Sequence, residues 1–202
     1  MMKQLLLIRH GESEAGILNV HEGRADFSLT EWGHRQATAM GQWVAKNYKI
    51  DLIFASTLQR AAQTAKYLSG AAGVPVISDE DLMEFNNGLL AGMPFEEAAE
   101  RYPKIANLPP DQSVYGQETQ YEFRARADRA LVRCLSQMPE GATAAIVSHG
   151  GMINQLFASL LDLPPAAAPR FLTGDTGVHL WVLTQDGPRL MFANKQEHLR
   201  DI

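Results

Sequence analysis

Four short apolar runs punctuate the chain. Leu5–Ile8, Leu52–Ala55, Val74–Ile77 and Ala144–Val147 are too short for helices and lack the polar alternation of a sheet with one wet face. They predict strands buried on both sides. Between them the apolar positions fall at helical spacing. Thr30 to about Asn47 predicts a helix with the inner stripe Ala37, Gly41, Val44, Ala45 and Tyr48, whose small residues would let it lie close on a sheet. Leu58 to about Ser69 predicts a second helix. Thr119-Gln-Tyr-Glu122 has capping-box spacing and opens a third. Its inner face carries Phe123, Ala127, Leu131, Cys134, Leu135 and Met138, with Arg126, Arg129 and Arg133 outside. Met152–Asp162 predicts a fourth, stopped by Leu163-Pro164-Pro165. Val178–Leu183 and Leu190–Ala193 flank Asp186-Gly187-Pro188, which predicts a closing hairpin at the sheet edge.

Strands separated by helices imply an α/β fold with a mostly parallel central sheet covered on both faces. Residues from about 79 to 116 are less regular and hold Pro94, Pro103, Pro109 and Pro110. They read as a covering insertion over one end of the sheet. A length of 202 residues predicts one domain over 1–202.

Charge changes the picture by exclusion. The net charge of −5, from 18 Lys+Arg against 23 Asp+Glu, offers no footprint for nucleic acid or an anionic membrane, so an anion must be met by a local cluster of cations. Cys134 is the single cysteine, which permits a reducing compartment. The first residues hold too short an apolar run for a signal peptide, and no run approaches a membrane span. A cytoplasmic protein is expected.

Three of the apolar runs end alike. The first leads into Arg9-His10-Gly11-Glu12, the second into Ser56-Thr57-Leu58-Gln59-Arg60, and the fourth into Ser148-His149-Gly150-Gly151. In a parallel sheet these carboxyl ends share one edge, where ligands of open α/β sheets bind. Two arginines and two histidines should therefore converge, which is tolerable if an anion sits among them. An arginine fork suits a tetrahedral oxyanion, and the glycines let backbone N–H groups approach it. A histidine inside such a site can attack phosphorus. Other readings are weaker. A zinc site built on His10, Glu12 and His149 lacks HExxH or paired cysteines, and two arginines would repel a metal. A serine esterase lacks G-x-S-x-G. His21, His34, His179 and His198 have no such company and are expected to be structural, with His34 on an exposed helix face and His179 on an outer strand.

At these residues the chain resembles the histidine phosphatase superfamily, or phosphoglycerate mutase-like proteins. Arg9-His10-Gly11 is joined in order by Asp26-Phe-Ser-Leu-Thr-Glu-Trp-Gly33 with Gln36-Ala37, by Ser56-Thr-Leu-Gln-Arg60-Ala-Ala-Gln-Thr64-Ala65, by Glu84 with Gly88 and Gly92, and by Ser148-His149-Gly150. The resemblance implies a three-layer α/β/α sandwich, a phosphohistidine intermediate and no metal or other cofactor. It implies His10 as nucleophile, Arg9 and Arg60 as phosphate clamps, His149 and Gly150 as further phosphate contacts, and Glu84 as proton donor. Glu84 is assigned by the resemblance alone, since nothing else marks it among 23 acidic residues.

Two positions depart from the pattern. Such relatives commonly carry an asparagine that reaches the phosphate where Gly16 stands, and often a glutamine at Glu22, before Gly23. If Glu22 faces the pocket, a neutral donor has become an acid. Otherwise it points away or meets a cationic part of the substrate. The long insertion and Asn-Lys motif associated with true phosphoglycerate mutases are absent, so hydrolysis is favoured over phosphoryl shuttling. The expected function is hydrolysis of a phosphomonoester, from a small molecule or phosphoprotein. The alternatives are a regulatory module that binds a phosphorylated partner, and mutase-type transfer. Phe85, Asn86, Asn87, Phe95, Tyr102, Leu108, Tyr115 and Tyr121 in and beside the covering segment, about half of which are expected simply to pack it down, favour an organic phosphate with an apolar body.

Overall fold

The computed structural model describes residues 2–167, 170–200 and 202. Six strands form one sheet: β1 Lys3–Arg9, β2 Leu52–Ser56, β3 Val76–Asp79, β4 Thr143–Ser148, β5 Val178–Thr184 and β6 Gly187–Lys195, in the order β3-β2-β4-β1-β5-β6. The first four in that order are parallel. β5 runs antiparallel to β1, and β6 antiparallel to β5. Among the described residues six α-helices accompany them: α1 Glu14–Leu18, α2 Glu31–Asn47, α3 Gln59–Ala72, α4 Phe95–Arg101, α5 Gln120–Gln137 and α6 Gly150–Leu160.

The LLLI run reads as it does because β1 lies between β4 and β5 and is covered on both faces. Leu5 and Leu7 face a cluster with α5 and α6 residues such as Phe123, Leu131, Leu156 and Phe157. Leu6 and Ile8 face a cluster with Met40 and Val44 of α2 and Ala61, Ala65 and Leu68 of α3. These are the three expected layers.

The caps explain where the helices start. Thr30 accepts the Gly33 N–H at the head of α2. Thr119 and Glu122 form both bonds of the expected capping box at the head of α5, which satisfies two backbone N–H groups that the helix itself leaves unpaired. Gly41 of α2 serves a helix rather than the sheet, since a β-carbon there would stand 2.8 Å from the Tyr67 carbonyl oxygen of α3. The third strand starts at Val76 rather than Val74, because Gly73 ends α3 in the left-handed region and Pro75 has no N–H for the ladder. Between Asp79 and Gly116 the covering segment has two single 3-10 turns, Glu80–Leu82 and Gly88–Leu90, and the short α4. His179 lies on β5, one strand inside the edge, and is fully buried. His34 is half-buried against Tyr67.

Candidate active site

The register of the sheet aligns the three strand ends. Arg9 at the end of β1 pairs with Ser148 at the end of β4, and Ala55 of β2 pairs with Val147. The chain after β1 is held from three sides: the Glu12 N–H donates to Gln36 of α2, the Gly11 N–H to Thr64 of α3, and the Thr30 hydroxyl to the Glu12 carboxylate. Gly33 is required because a β-carbon there would overlap the Glu12 carbonyl.

His10 is 2% exposed. Its Nδ1 lies 2.7 Å from the Gly11 carbonyl, which can only accept, so Nδ1 carries the proton and Nε2 offers its lone pair when the ring is neutral. Burial first, then Arg60 and Arg9, hold the imidazole well below its usual pKa of 6.5. His149 stands with its ring 5.1 Å from that of His10. Ser56 Oγ accepts the Leu58 N–H and lies 2.8 Å from His149 Nε2. With the serine hydrogen pointed at Nε2, the ring proton of His149 sits on Nδ1. That atom is buried without a protein partner. Burial, then Arg60 and His10, keep this ring well below its usual pKa as well.

Arg60 is fully buried. It donates to the carbonyls of Ala25 at 2.9 Å and Gly23 at 2.7 Å, and its Nε reaches His10 Nε2 at 3.3 Å. The Asp26 carboxylate accepts the Gln59 N–H in the first turn of α3, which anchors the segment before Arg60. Arg9 donates to the Thr173 carbonyl at 2.7 Å and pairs with Asp175 at 3.3 Å. Its Nε is buried and unpartnered, and Gly150 sits beside it, a β-carbon there being 3.9 Å from Arg9 Nε. Unpaired buried donors on Arg9 and His149 suit an incoming anion.

Glu22 faces this cluster rather than away from it. Its carboxylate is 3.2 Å from Arg60 Nε and 3.7 Å from His10 Nε2, and it accepts the Ser13 hydroxyl. Gly16 lies exposed on α1, where a β-carbon would meet nothing within 4 Å.

Glu84 rests on the N-terminus of α6. Its two oxygens accept the N–H groups of Phe85 and Gly151, each at 2.8 Å. Arg126 secures the segment beneath it and is a correction to the expected outward face of α5. It is 5% exposed and donates to the carbonyls of Asp81, Met83 and Glu84 and to the Glu118 carboxylate. Only Arg129 and Arg133 of the expected trio reach outward, to Asp79 and Asp81. Thr64, Ser56, Asp175 and Arg126 were not legible as parts of the site. The first two lie inside the motif around Arg60, the one signal that could have found them.

Among the described residues no cluster of histidine, cysteine or acidic side chains could hold a metal ion, and no helix is long and apolar enough to cross a membrane. A ring of fixed cations, a neutral imidazole with a free lone pair and a carboxyl at a helix N-terminus can bind a phosphoryl group and transfer it.

The comparisons with known proteins agree. The probable phosphoglycerate mutase GpmB of Yersinia enterocolitica is 35% identical over 173 residues, covering 84% of this chain and 80% of that protein. A mycobacterial glucosyl-3-phosphoglycerate phosphatase superposes with a TM-score of 0.84 at 26% identity, over 96% of this chain and 99% of that one. The phosphoserine phosphatase of Entamoeba histolytica, solved with 3-phosphoglyceric acid, superposes with a TM-score of 0.79 at 28% identity, over 98% and 99%. The profile of the histidine phosphatase superfamily (branch 1) matches residues 5–196, and the chain belongs to that family.

Proposed function

We propose that the protein hydrolyses a phosphomonoester of a small organic molecule through a phosphohistidine on His10. The observation that carries this reading is the 2.7 Å bond from His10 Nδ1 to Gly11. It fixes the tautomer and turns the Nε2 lone pair toward Arg60. His10 Nε2 attacks phosphorus and forms the N–P bond as the P–O ester bond breaks. Arg9, Arg60 and the His149 Nδ1–H hold the phosphoryl oxygens, and electrostatic positioning dominates the rate. The leaving oxygen takes a proton from Glu84, which must sit on a lone pair that the Phe85 and Gly151 bonds leave free. The Glu84 carboxylate then removes a proton from water, which attacks phosphorus, breaks the N–P bond and restores neutral His10.

Hydrolysis is favoured over mutase transfer because the solved relatives named above are phosphatases and the sequence lacks the mutase insertion. An apolar cavity of about 690 Å³ is lined by His21, the chain neighbour of Glu22, and by Phe95, Tyr102, Leu108 and Tyr115. It suits an organic leaving group. Phe85 and Tyr121 do not line it: Phe85 packs on Phe123, and Tyr121 is exposed. Cytoplasmic residence fits the single cysteine, whose thiol burial pushes up to about 12. The test is to quench the enzyme during turnover. Phosphate should be found on His10, labile in acid and stable in base, and His10→Ala should abolish both label and turnover. Label on another residue, or turnover in the variant, removes His10 as nucleophile.

A further inference from the structure

Glu22 holds a position that conflicts with its charge. Its Oε1 lies 3.2 Å from Arg60 Nε and its Oε2 3.7 Å from His10 Nε2, the atom on which the N–P bond would form. His10 Nδ1 is committed to Gly11, so two acceptors face each other; the Arg60 Nε–H donates to His10 Nε2 at 3.3 Å, and the Glu22 carboxylate stands 3.2 Å from the same nitrogen. A phosphoryl group on Nε2 sets its equatorial oxygens beside Oε2 and claims that same N–H. A carboxylate there repels the phosphoryl oxygens, whereas a carboxylic acid donates to one of them.

We propose that Glu22 acts as a second acid of the pocket: an oxyanion arriving at His10 binds together with one proton, which Glu22 takes up and then donates in a hydrogen bond to an equatorial oxygen. The inference rests on the phosphate-binding reading above. Ser13 holds the carboxyl in place from the other side, its hydroxyl going to Glu22 instead of capping α1.

Several charged groups act on Glu22 or on its partners. His10 and Arg9 come from β1, Arg60 from α3 and His149 from the head of α6. Asp175 feels both Arg9 and Glu22, as well as Glu12. Glu84 and Asp26 act through Arg60. An oxyanion occupies the donors of Arg60 and Arg9 and adds like charge beside the Glu22 carboxyl, and both changes favour the acid. The same anion also favours protons on His10 and His149, so the experiment must separate glutamate from imidazole.

Sulfate serves as probe, because it is tetrahedral and keeps its charge around neutral pH. Its binding is measured calorimetrically in buffers of different ionisation enthalpy, which counts protons. Wild type should take up close to one proton per sulfate, with affinity falling roughly tenfold per pH unit once free Glu22 is ionised. Glu22→Gln should take up almost none and bind sulfate with little pH dependence. Ser13→Ala, which removes a donor that favours the carboxylate, should move the onset of the affinity loss to higher pH. Equal uptake in wild type and Glu22→Gln assigns the proton to the histidines and overturns the inference, as does no uptake in wild type. Phosphate release is assayed on the same preparations. Failure to hydrolyse any monoester would overturn the proposed reaction, while the proton count still decides the role of Glu22.

Discussion

The Gly151 N–H donates to the Glu84 carboxylate at 2.8 Å, and a β-carbon at position 151 would overlap Glu84 Oε1. The glycine is therefore a steric condition for the placement of the proposed acid. Gly151→Ala should push the carboxyl off the head of α6. Misplacing a reacting group by about 1 Å can cost on the order of 100-fold, so kcat should fall by about that factor. The melting temperature should move little, because a partly exposed side chain can swing aside. A variant with full activity would show that Glu84 does not need this contact.

Arg126 fastens residues 81–84 of the covering segment to α5 through the carbonyls of Asp81, Met83 and Glu84, and pairs with Glu118 at 2.6 Å. Arg126→Met keeps the stem but strands the Glu118 carboxylate and the carbonyls. Breaking one side of a buried pair costs about 3–5 kcal/mol. The urea midpoint should fall accordingly, and Arg126→Lys should recover only part of it, since one ammonium cannot reproduce the planar fork. An unchanged midpoint would make the bonds to these carbonyls energetically idle.

Arg126 carries no mark of its buried role in the sequence. It sits in register with Arg129 and Arg133, and three arginines at helical spacing look like a solvated stripe. What distinguishes Arg126 is a set of backbone carbonyls more than 40 residues away, and carbonyls leave no trace in a sequence. The Ser56–His149 contact, 93 residues apart, is hidden for the same reason. By contrast, Leu5–Ile8 could be read directly, because burial on both faces erases alternation. So could the Thr119–Glu122 cap, because both of its partners lie within one turn. Glu84 was legible only through its family pattern. A carboxylate has no periodicity to betray it, and its placement depends on the head of α6, far along the chain. For Glu22 the residue type flagged a conflict, but only the fold shows that it faces His10.

Four buried imidazoles make folding sensitive to acid. His10 and His149 are held well below 6.5, chiefly by burial and then by Arg60, while burial lowers His179 and His198 to about 4. The unfolded chain binds protons near 6.5, so it carries more protons than the native state below that pH. Stability is complete above about 6.5 and falls as the pH drops through the window to about 4. Each imidazole adds a slope of up to about 1.4 kcal/mol per pH unit. For His179 the reason is visible: the Asn194 N–H already occupies Nδ1 at 3.1 Å, and a proton there must displace it. Urea midpoints should decline from about pH 7 to about pH 5. A flat profile would mean that these rings protonate without cost.

Activity should survive prolonged treatment with a chelator. Arg9 and Arg60 supply the positive charge that a metal would bring to the phosphoryl oxygens. Loss of turnover in EDTA, restored by zinc or magnesium, would replace the arginine clamp with metal-assisted hydrolysis.

The role of Glu84 can be isolated through the leaving group. An alkyl alkoxide needs a proton as its P–O bond breaks, whereas a nitrophenolate departs readily without one. Glu84→Gln preserves the shape and can still accept one of the two N–H bonds from Phe85 and Gly151, but it has no acidic proton to transfer. Formation of the phosphohistidine should slow on the order of 10²–10⁴-fold for an alkyl phosphate and far less for an aryl one. Steady-state rates would blur the contrast, because the same carboxylate is needed to activate water in the second step. Single-turnover formation of the intermediate on both esters removes that ambiguity. Equal losses on the two substrates would show that position 84 orients the phosphate or the α6 terminus, and the proton would have to come from elsewhere in the pocket.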